Sequence, residues 1–210
     1  MNNEREQITR YPGSEGERRA QQMFGTGRRA MAFYQKQMMK ELNSNMQGFI
    51  ASQEMVFIAT ADAKGTCDCS FRAGTPGFIQ ILNSTTLAYP EYRGNGVMAS
   101  VGNILENPQI GLMFVDFTQS TVGLHLNGKA QVITNNDISR LPLATTSLIN
   151  EATIVGGRHP ECWIVIAVEE AYIHCSKHIP LLKKLDKPVH WGTDDEHLKG
   201  SNFFKVDAGK

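Results

Sequence analysis

The chain has 210 residues, enough for one domain with a sizeable core, and its 21 basic and 21 acidic residues give a formal charge of zero. A chain without a net basic field is a poor candidate for nonspecific nucleic-acid binding. No secretory signal opens the chain, its apolar runs are far too short to span a membrane, and its four cysteines suit reduced thiols. We therefore expect a cytoplasmic protein that binds neither nucleic acid nor membrane.

Helix-forming residues dominate positions 14–45, which predicts a helical N-terminal extension within residues 1–54. Apolar residues recur there at roughly helical spacing, as is typical of a stripe that packs on the core. They are Met31, Phe33, Tyr34, Met38, Met39 and Leu42.

From residue 55 onward the sequence changes to short β runs separated by tight turns. The runs cover residues 55–61, 66–72, 78–82, 86–89, 110–117, 122–134 and 162–174. The connections 62–65 and 83–85 are hairpin-sized, which indicates antiparallel pairing, and Asn127-Gly128 marks a bulge or bend. Six or seven such strands predict a small closed barrel in a mainly β (α+β) fold, with a helix or two within residues 138–150.

The segment 86–116 carries the strongest indication of function, because its pattern is strand, glycine-rich loop, short helix and strand. Residues 90–96 are predicted to be irregular, the helix is predicted over 97–105, and the apolar residues 110–115 predict a buried strand. A glycine loop exposes backbone N–H groups beside the positive end of the helix, and Arg93 adds a full charge. Such a place suits a phosphate.

Between Ala30 and Ser139 the chain carries only two arginines, Arg72 and Arg93, and both lie close to glycine. Glycine lets the backbone approach a ligand closely, so two planar guanidinium groups could hold one phosphate. The alternative is that each arginine is a solvated charge at a strand end with a surface ion pair. The sequence leaves both interpretations open.

Other site chemistries are less well supported. A dinucleotide fold needs Gly-x-Gly-x-x-Gly at the start of a helix, and Gly94-Asn95-Gly96 lacks the third glycine. No Gly-x-Ser-x-Gly elbow is present, which argues against a hydrolase triad. Cys67 and Cys69 have no second pair at zinc spacing, so we expect core or barrel-wall thiols and no metal site.

With these elements placed, the sequence resembles the pyridoxamine 5'-phosphate oxidase-like family of flavin-binding split barrels, and more narrowly its predicted flavin-nucleotide-binding branch. The resemblance covers residues 55–177 and rests on the order and spacing of short motifs. They are Phe57-Ile58-Ala59-Thr60-Ala61 with Gly65, Ser70-Phe71-Arg72-Ala73-Gly74 with Pro76-Gly77-Phe78, Gly94-Asn95-Gly96 with Ser100, Gly102-Asn103-Ile104, Asn107-Pro108, Gly111, Phe114, Leu126-Asn127-Gly128-Lys129-Ala130 and His174-Cys175-x-Lys177. Ala73, and Arg93-Gly94-Asn95 in place of an Arg-Lys pair, depart from the family pattern, so the substrate is not inherited.

The resemblance implies a six- or seven-stranded antiparallel split β-barrel over residues 55–180, with peripheral helices and the N-terminal helical extension. It also implies a homodimer with flavin mononucleotide (FMN) at the subunit interface. The cofactor-binding positions that it implies are Ser70, Arg72, Tyr89, Arg93, Gly94, Asn95, Asn103 and Lys177. Asn103 is expected to support the loop by hydrogen bonding. Residues 181–210 are expected to be a polar tail on the barrel or partner subunit, anchored by Trp191 and Phe203-Phe204.

The histidines have several possible roles. For the cluster of His174, Cys175 and His178 with Lys177, a metal site, a role facing flavin or substrate, and plain packing all stay open. His125, on an alternating strand, is expected to be a satisfied interior or interface histidine rather than a base.

The leading hypothesis is a flavoprotein that passes hydride or electrons between a reduced donor and a small organic molecule. Because the flavin ring performs that chemistry, no catalytic acid, base or nucleophile need stand out, and none is identified. The alternative is a module that binds or senses flavin, a deazaflavin or haem without turnover. An oxidase of pyridoxamine phosphate itself is a third possibility, since a fold does not fix a function.

Overall fold

The computed structural model describes residues 12–154, 159–190, 192–193, 195–198 and 204–205. The proposed anchors Trp191 and Phe203 lie outside these residues. None of the described helices is long and apolar enough to cross a membrane.

The described N-terminal part is helical, as predicted. Its helices are α1 (Glu15–Phe24), α2 (Gly27–Lys36) and α3 (Ser44–Ser52). A capping box between Ser14 and Glu17 starts α1, and Gly25 in the left-handed conformation ends it. The apolar stripe was expected in the core, but α1 and α2 bury no residue, and only Leu42 of the stripe is buried. The rest of the stripe is half-buried, and Phe33 of α2 packs edge-on against Tyr172 with ring centroids 5.6 Å apart.

Seven strands form one antiparallel sheet, which confirms the prediction of six or seven strands. They are β1 (Met55–Ala61), β2 (Cys67–Ala73), β3 (Gln80–Asn83), β4 (Thr86–Glu91), β5 (Gln109–Val115), β6 (Gly123–Thr134) and β7 (Cys162–His174). The order is β2-β1-β5-β6-β7-β4-β3, and both predicted hairpins are present. The two ends of the order, β2 and β3, do not pair with each other among the described residues, so the barrel is split rather than closed by backbone hydrogen bonds.

The two longest strands, β6 and β7, curve through the middle of the sheet. Their register shifts between Asn127 and Gly128, which confirms the predicted bulge. A Cβ atom on Gly128 would lie 2.2 Å from the carbonyl oxygen of Ala167, so only glycine allows this close approach. The main core includes Leu124, Leu126 and Ile166 of these strands, all 4% exposed or less.

The remaining helical elements cover the sheet. They are α4 (Ala99–Glu106), α5 (Thr146–Ala152) and three 3₁₀ turns at Asn135–Arg140, Ser176–His178 and Glu196–Leu198. Helix α4 begins two residues later than predicted, because Met98 before it adopts a left-handed backbone with φ of 54°.

Pro90 and Glu91 were predicted to be irregular, but they extend β4 and pair with Trp163 and Cys162 of β7. In the described part of the chain, β3 accompanies β4 only as far as Ala88. On that side Pro90 therefore faces no strand, and its missing N–H group breaks no ladder hydrogen bond.

Candidate functional site

A cleft of about 1680 Å³ opens beside β2 and α4. Its walls come from β2, the loop from β4 to α4, residues 115–119 and described residues between Leu182 and Leu198. The predicted cofactor positions on its surface are Ser70, Arg72, Arg93, Gly94 and Asn95. The structure thus brings together five of the eight predicted positions.

Strand β2 contributes its side chains in two sets, because successive residues of a strand point to opposite faces. Asp68, Ser70 and Arg72 are partly buried and reach toward α4. Cys67 and Cys69 point the other way and are exposed, so they are thiols of the outer wall rather than the core. Strand β2 therefore presents its polar set to the cleft.

The guanidinium group of Arg72 is saturated with hydrogen bonds. Its Nε and Nη2 atoms donate to Oε2 of Glu91 at 3.1 and 2.8 Å. Its Nη1 atom donates to Ser70 Oγ at 3.0 Å and to the Phe71 carbonyl at 3.1 Å, and Nη2 also lies 3.4 Å from Ser100 Oγ. Arginine has five N–H donors, and all five have acceptors here. A phosphate can reach this group only by displacing one of them.

Glu91 is the acceptor that the sequence analysis missed. It is 5% exposed and is the one charged residue among the buried residues that the structure describes. Burial raises the pKa of its carboxyl group above the ordinary value, and the hydrogen bonds and charge of Arg72 oppose that rise. The burial of Glu91 was not predicted, because a glutamate next to Pro90 in an expected loop suggests a solvated charge.

Ser100 joins this cluster from the first turn of α4. Its hydroxyl lies 3.0 Å from Ser70 Oγ and donates to Asp68 Oδ2 at 3.3 Å. Ser100 is 4% exposed and was part of the motif that carried the family resemblance, but it was not predicted as a site residue. The contacts connect β2, β4 and α4 in one polar network.

The loop before α4 is the more open wall of the cleft. Residues 93–97 are exposed, and Gly94 and Gly96 have φ of 53° and 81°. The loop is shaped by two local hydrogen bonds, from the Gly96 N–H to the Arg93 carbonyl at 2.9 Å and from the Val97 N–H to Asn95 Oδ1 at 3.0 Å. The Asn95 side chain therefore stabilises the turn, and the exposed backbone of the loop stays accessible to a ligand.

Three predicted positions do not line the cleft. Tyr89 is fully buried in the core, where burial raises the pKa of its hydroxyl and no described residue accepts its hydrogen bond. Asn103 donates to Thr60 Oγ1 at 3.0 Å, so it ties α4 to β1 instead of supporting the loop. Lys177 is exposed in the turn after β7. Their assignment to a strand, a helix or a turn did not predict whether these side chains face the cleft.

The histidines form a separate cluster on β6 and β7. His125 Nε2 lies 2.9 Å from His174 Nδ1, and the His125 ring stacks on Tyr172 with centroids 4.8 Å apart. Burial, followed by the charge of His174, lowers the pKa of His125. This confirms the expectation of a satisfied histidine. Cys175 is exposed, and within the described ranges no three His, Cys, Asp or Glu side chains could together hold a metal ion.

The C-terminal segment crosses the cleft without helix or strand over residues 179–190. The Leu182 N–H donates to the Phe117 carbonyl at 2.7 Å, and Lys184 forms an ion pair with Glu54. Four large apolar side chains of this segment are more than half exposed. They are Leu181, Leu182, Leu185 and Val189. The segment is thus less polar than the sequence analysis expected.

A comparison with protein-family models gives one match. The model described as pyridoxamine 5'-phosphate oxidase covers residues 42–175, well over half of the chain. The match includes every strand of the sheet and the whole polar network around Arg72. No curated protein sequence is significantly similar to the chain.

Solved structures with a distantly similar fold include the following three proteins. HupZ of Group A Streptococcus is 22% identical, with 62% of this chain and 91% of that chain covered at a TM-score of 0.46. A structure titled as a pyridoxamine 5'-phosphate oxidase of Listeria innocua is 14% identical, with 61% and 94% covered at 0.44. HutZ, the haem storage protein of Vibrio cholerae, is 13% identical, with 63% and 94% covered at 0.39.

Proposed function

The chain belongs to the pyridoxamine 5'-phosphate oxidase family, and from that membership we propose that it binds FMN in the cleft and acts as an oxidoreductase. It would pass hydride or electrons between a reduced donor and a small organic molecule. The observation that carries this proposal is the joint presence, on one cleft, of a glycine loop with an arginine and a polar strand end.

The loop before α4 fits a phosphate. A Cβ atom on Gly96 would meet no atom within 4 Å, and one on Gly94 would meet only the Tyr92 carbonyl at 4.0 Å, so this backbone borders open space. Within the described part of the chain, the N–H groups of Gly94 and Asn95 have no acceptor. Two such N–H groups beside the charge of Arg93 supply the donors that a phosphate needs.

The remaining cleft fits a flat apolar ring system. Its lining includes several apolar side chains from α4, the loops and the strand ends around the polar network, and they can exclude water from one face of a bound ring. They are Met55, Val97, Val101, Val115 and Phe117. When bound, FMN supplies the hydride or electron chemistry, whereas the residues of the chain bind it, orient it and shield it.

The second candidate function is a non-catalytic module that binds flavin, a deazaflavin or haem without turnover. The same cleft would serve it, so reduction of the bound cofactor distinguishes the two candidates.

The assembly is part of the proposal. We propose a cytoplasmic homodimer with the cofactor at the subunit interface, as the family resemblance implies.

The test is the visible absorption spectrum of the purified protein before and after nicotinamide nucleotide is added under nitrogen. Flavin bands near 370 and 450 nm are expected, followed by their bleaching. Flavin bands that no reduced nucleotide bleaches would favour the carrier. A colourless protein that takes up no added flavin would contradict the proposal.

A further inference from the structure

Strand β2, at one end of the sheet order, is joined to β4, next to the other end, by a side-chain pair instead of a backbone ladder. In the sheet order, β1, β5, β6 and β7 lie between β2 and β4. Arg72 of β2 nevertheless reaches Glu91 of β4 at 2.8 Å, and their side chains are only 11% and 6% exposed. This contact, which we call the Arg72–Glu91 pair, stands at the wall of the cleft.

An anion entering the cleft competes with Glu91. All five donors of Arg72 are in use, and three of the hydrogen bonds go to hydroxyl or carbonyl oxygens that carry no charge. The other two go to Oε2 of Glu91, which is an anionic acceptor. A phosphate and the carboxylate of Glu91 are alternative counter-ions for the single charge of Arg72, because two anions against one buried guanidinium group would leave negative charge without a partner.

Loss of Arg72 changes the state of Glu91. A buried carboxylate that loses its cationic partner is strongly destabilised in its charged form and binds a proton instead. In this step one proton from solvent forms an O–H bond on the carboxyl group of Glu91, and no group is oxidised or reduced.

We propose that the phosphate of a bound ligand takes Arg72 from Glu91 and that Glu91 takes up a proton from solvent in exchange. The inference deepens the proposed function and rests on it. It makes Glu91 a positioning residue for Arg72 and makes phosphate affinity depend on pH.

The other titratable groups around Glu91 favour this exchange. Tyr89 on β4 and Cys162 on β7 are neutral, because burial raises both pKa values, that of Cys162 to about 12. Asp68 on β2, linked through Ser100, and Glu161 before β7 are acidic. Negative neighbours favour the protonated form of a carboxyl group once its arginine has been withdrawn.

The experiment is isothermal titration calorimetry of the full chain with FMN and with riboflavin, which lacks the phosphate. Each titration is run in buffers of different ionisation enthalpy, so that the slope of observed enthalpy gives the protons taken up. Near pH 8 a phosphate monoester is already a dianion, and its own titration contributes little. Glu91→Gln removes the proton acceptor, and Glu151→Gln is the matched control, because burial also raises the pKa of this carboxyl group but it lies outside the cleft.

The expected result is proton uptake approaching one per FMN in the wild type and in Glu151→Gln, with none for riboflavin. The affinity for FMN should then fall by up to about tenfold per pH unit as pH rises, while that for riboflavin stays constant. In Glu91→Gln both the uptake and the pH dependence should disappear. Should that variant fail to fold, the difference between FMN and riboflavin in the wild type still measures the exchange.

Two results would overturn the inference in distinguishable ways. FMN binding with the same proton uptake as riboflavin, or with unchanged uptake in Glu91→Gln, would remove the exchange and leave the proposed function standing. Binding of neither flavin would remove the proposed function and the inference together.

Discussion

The two arginines of the cleft lie in regions of opposite character. Arg72 ends a strand, is 11% exposed at its side chain and donates every N–H to the protein. Arg93 lies on an exposed glycine loop whose backbone borders open space. In the sequence the two look alike, since both stand close to glycine. Burial and the nearest carboxylate, more than the neighbours in the chain, decide which contacts an arginine makes.

The largest expected effect is the loss of folding stability when the buried Arg72 is removed. Arg72→Ala leaves the buried carboxyl group of Glu91 without its partner, and such a loss costs about 3–5 kcal/mol of unfolding free energy. Urea denaturation measures it. Arg140→Ala is the control, because the Arg140–Asp137 pair is 80% and 46% exposed and its loss should cost at most about 1 kcal/mol. Equal losses of unfolding free energy in the two variants would show that the buried Arg72–Glu91 pair stabilises the fold no more than an exposed ion pair does.

The second effect concerns ligand affinity. Arg93→Ala should weaken FMN binding by about 1.5–3 kcal/mol, the range for hydrogen bonds to a charged group, and leave the fold intact. Flavin fluorescence titration measures the change, with riboflavin as the comparison because it has no phosphate to lose. An unchanged FMN affinity would remove Arg93 from the site and leave the phosphate to Arg72.

A smaller effect should come from the backbone of the loop. Gly94 has φ of 53°, and a side chain in that conformation costs about 1–2 kcal/mol. Gly94→Ala should therefore lower thermal stability even though its Cβ atom would meet little. Gly48→Ala is the matched control, because Gly48 lies inside α3 in equally open space and alanine there should stabilise the helix by about 0.5–1 kcal/mol. A Gly94→Ala variant with higher thermal stability than the wild type would mean that the loop can leave the left-handed conformation at residue 94 without a cost in stability.

The smallest effect should be a pH dependence of stability in the absence of ligand. Burial raises the pKa of Glu91 above its unfolded value of 4.5, so the folded chain holds this proton to higher pH than the unfolded chain. The contribution of Glu91 to stability is thus present at low pH and is lost as pH rises through the window above 4.5. Urea denaturation of the wild type and Glu91→Gln across this window should show the wild-type advantage shrinking. An advantage that grows with pH would mean that Arg72 outweighs burial.

Much of the fold could be predicted from local patterns. Alternation and turn residues located all seven strands, and Asn127-Gly128 located the bulge, because each signal lies within a few residues. The exceptions follow from tertiary contacts. Pro90 fits in a strand because, among the described residues, no strand pairs with it on one side, and the N-terminal stripe is half-buried although its spacing is typical of a core-facing helix.

The site was less accessible to sequence reasoning. Ser70, Arg72 and the loop 93–95 were expected to converge because of the family resemblance, and the structure does bring them to one cleft. Glu91 could not be foreseen, since its partner lies on a strand at the far end of the sheet order. Asn103 has Thr60 as its partner, and no spacing in the sequence encodes that pairing.

The alternation along β2 also restricts how this segment can change in evolution. Inserting one residue within the strand would turn every later side chain to the other face, which would replace Arg72 in the cleft by a neighbour such as Phe71. Inserting two residues would preserve the faces, and the hairpin at residues 62–66 can absorb any number. Among relatives, length differences should therefore concentrate in that hairpin and enter the strand only in pairs.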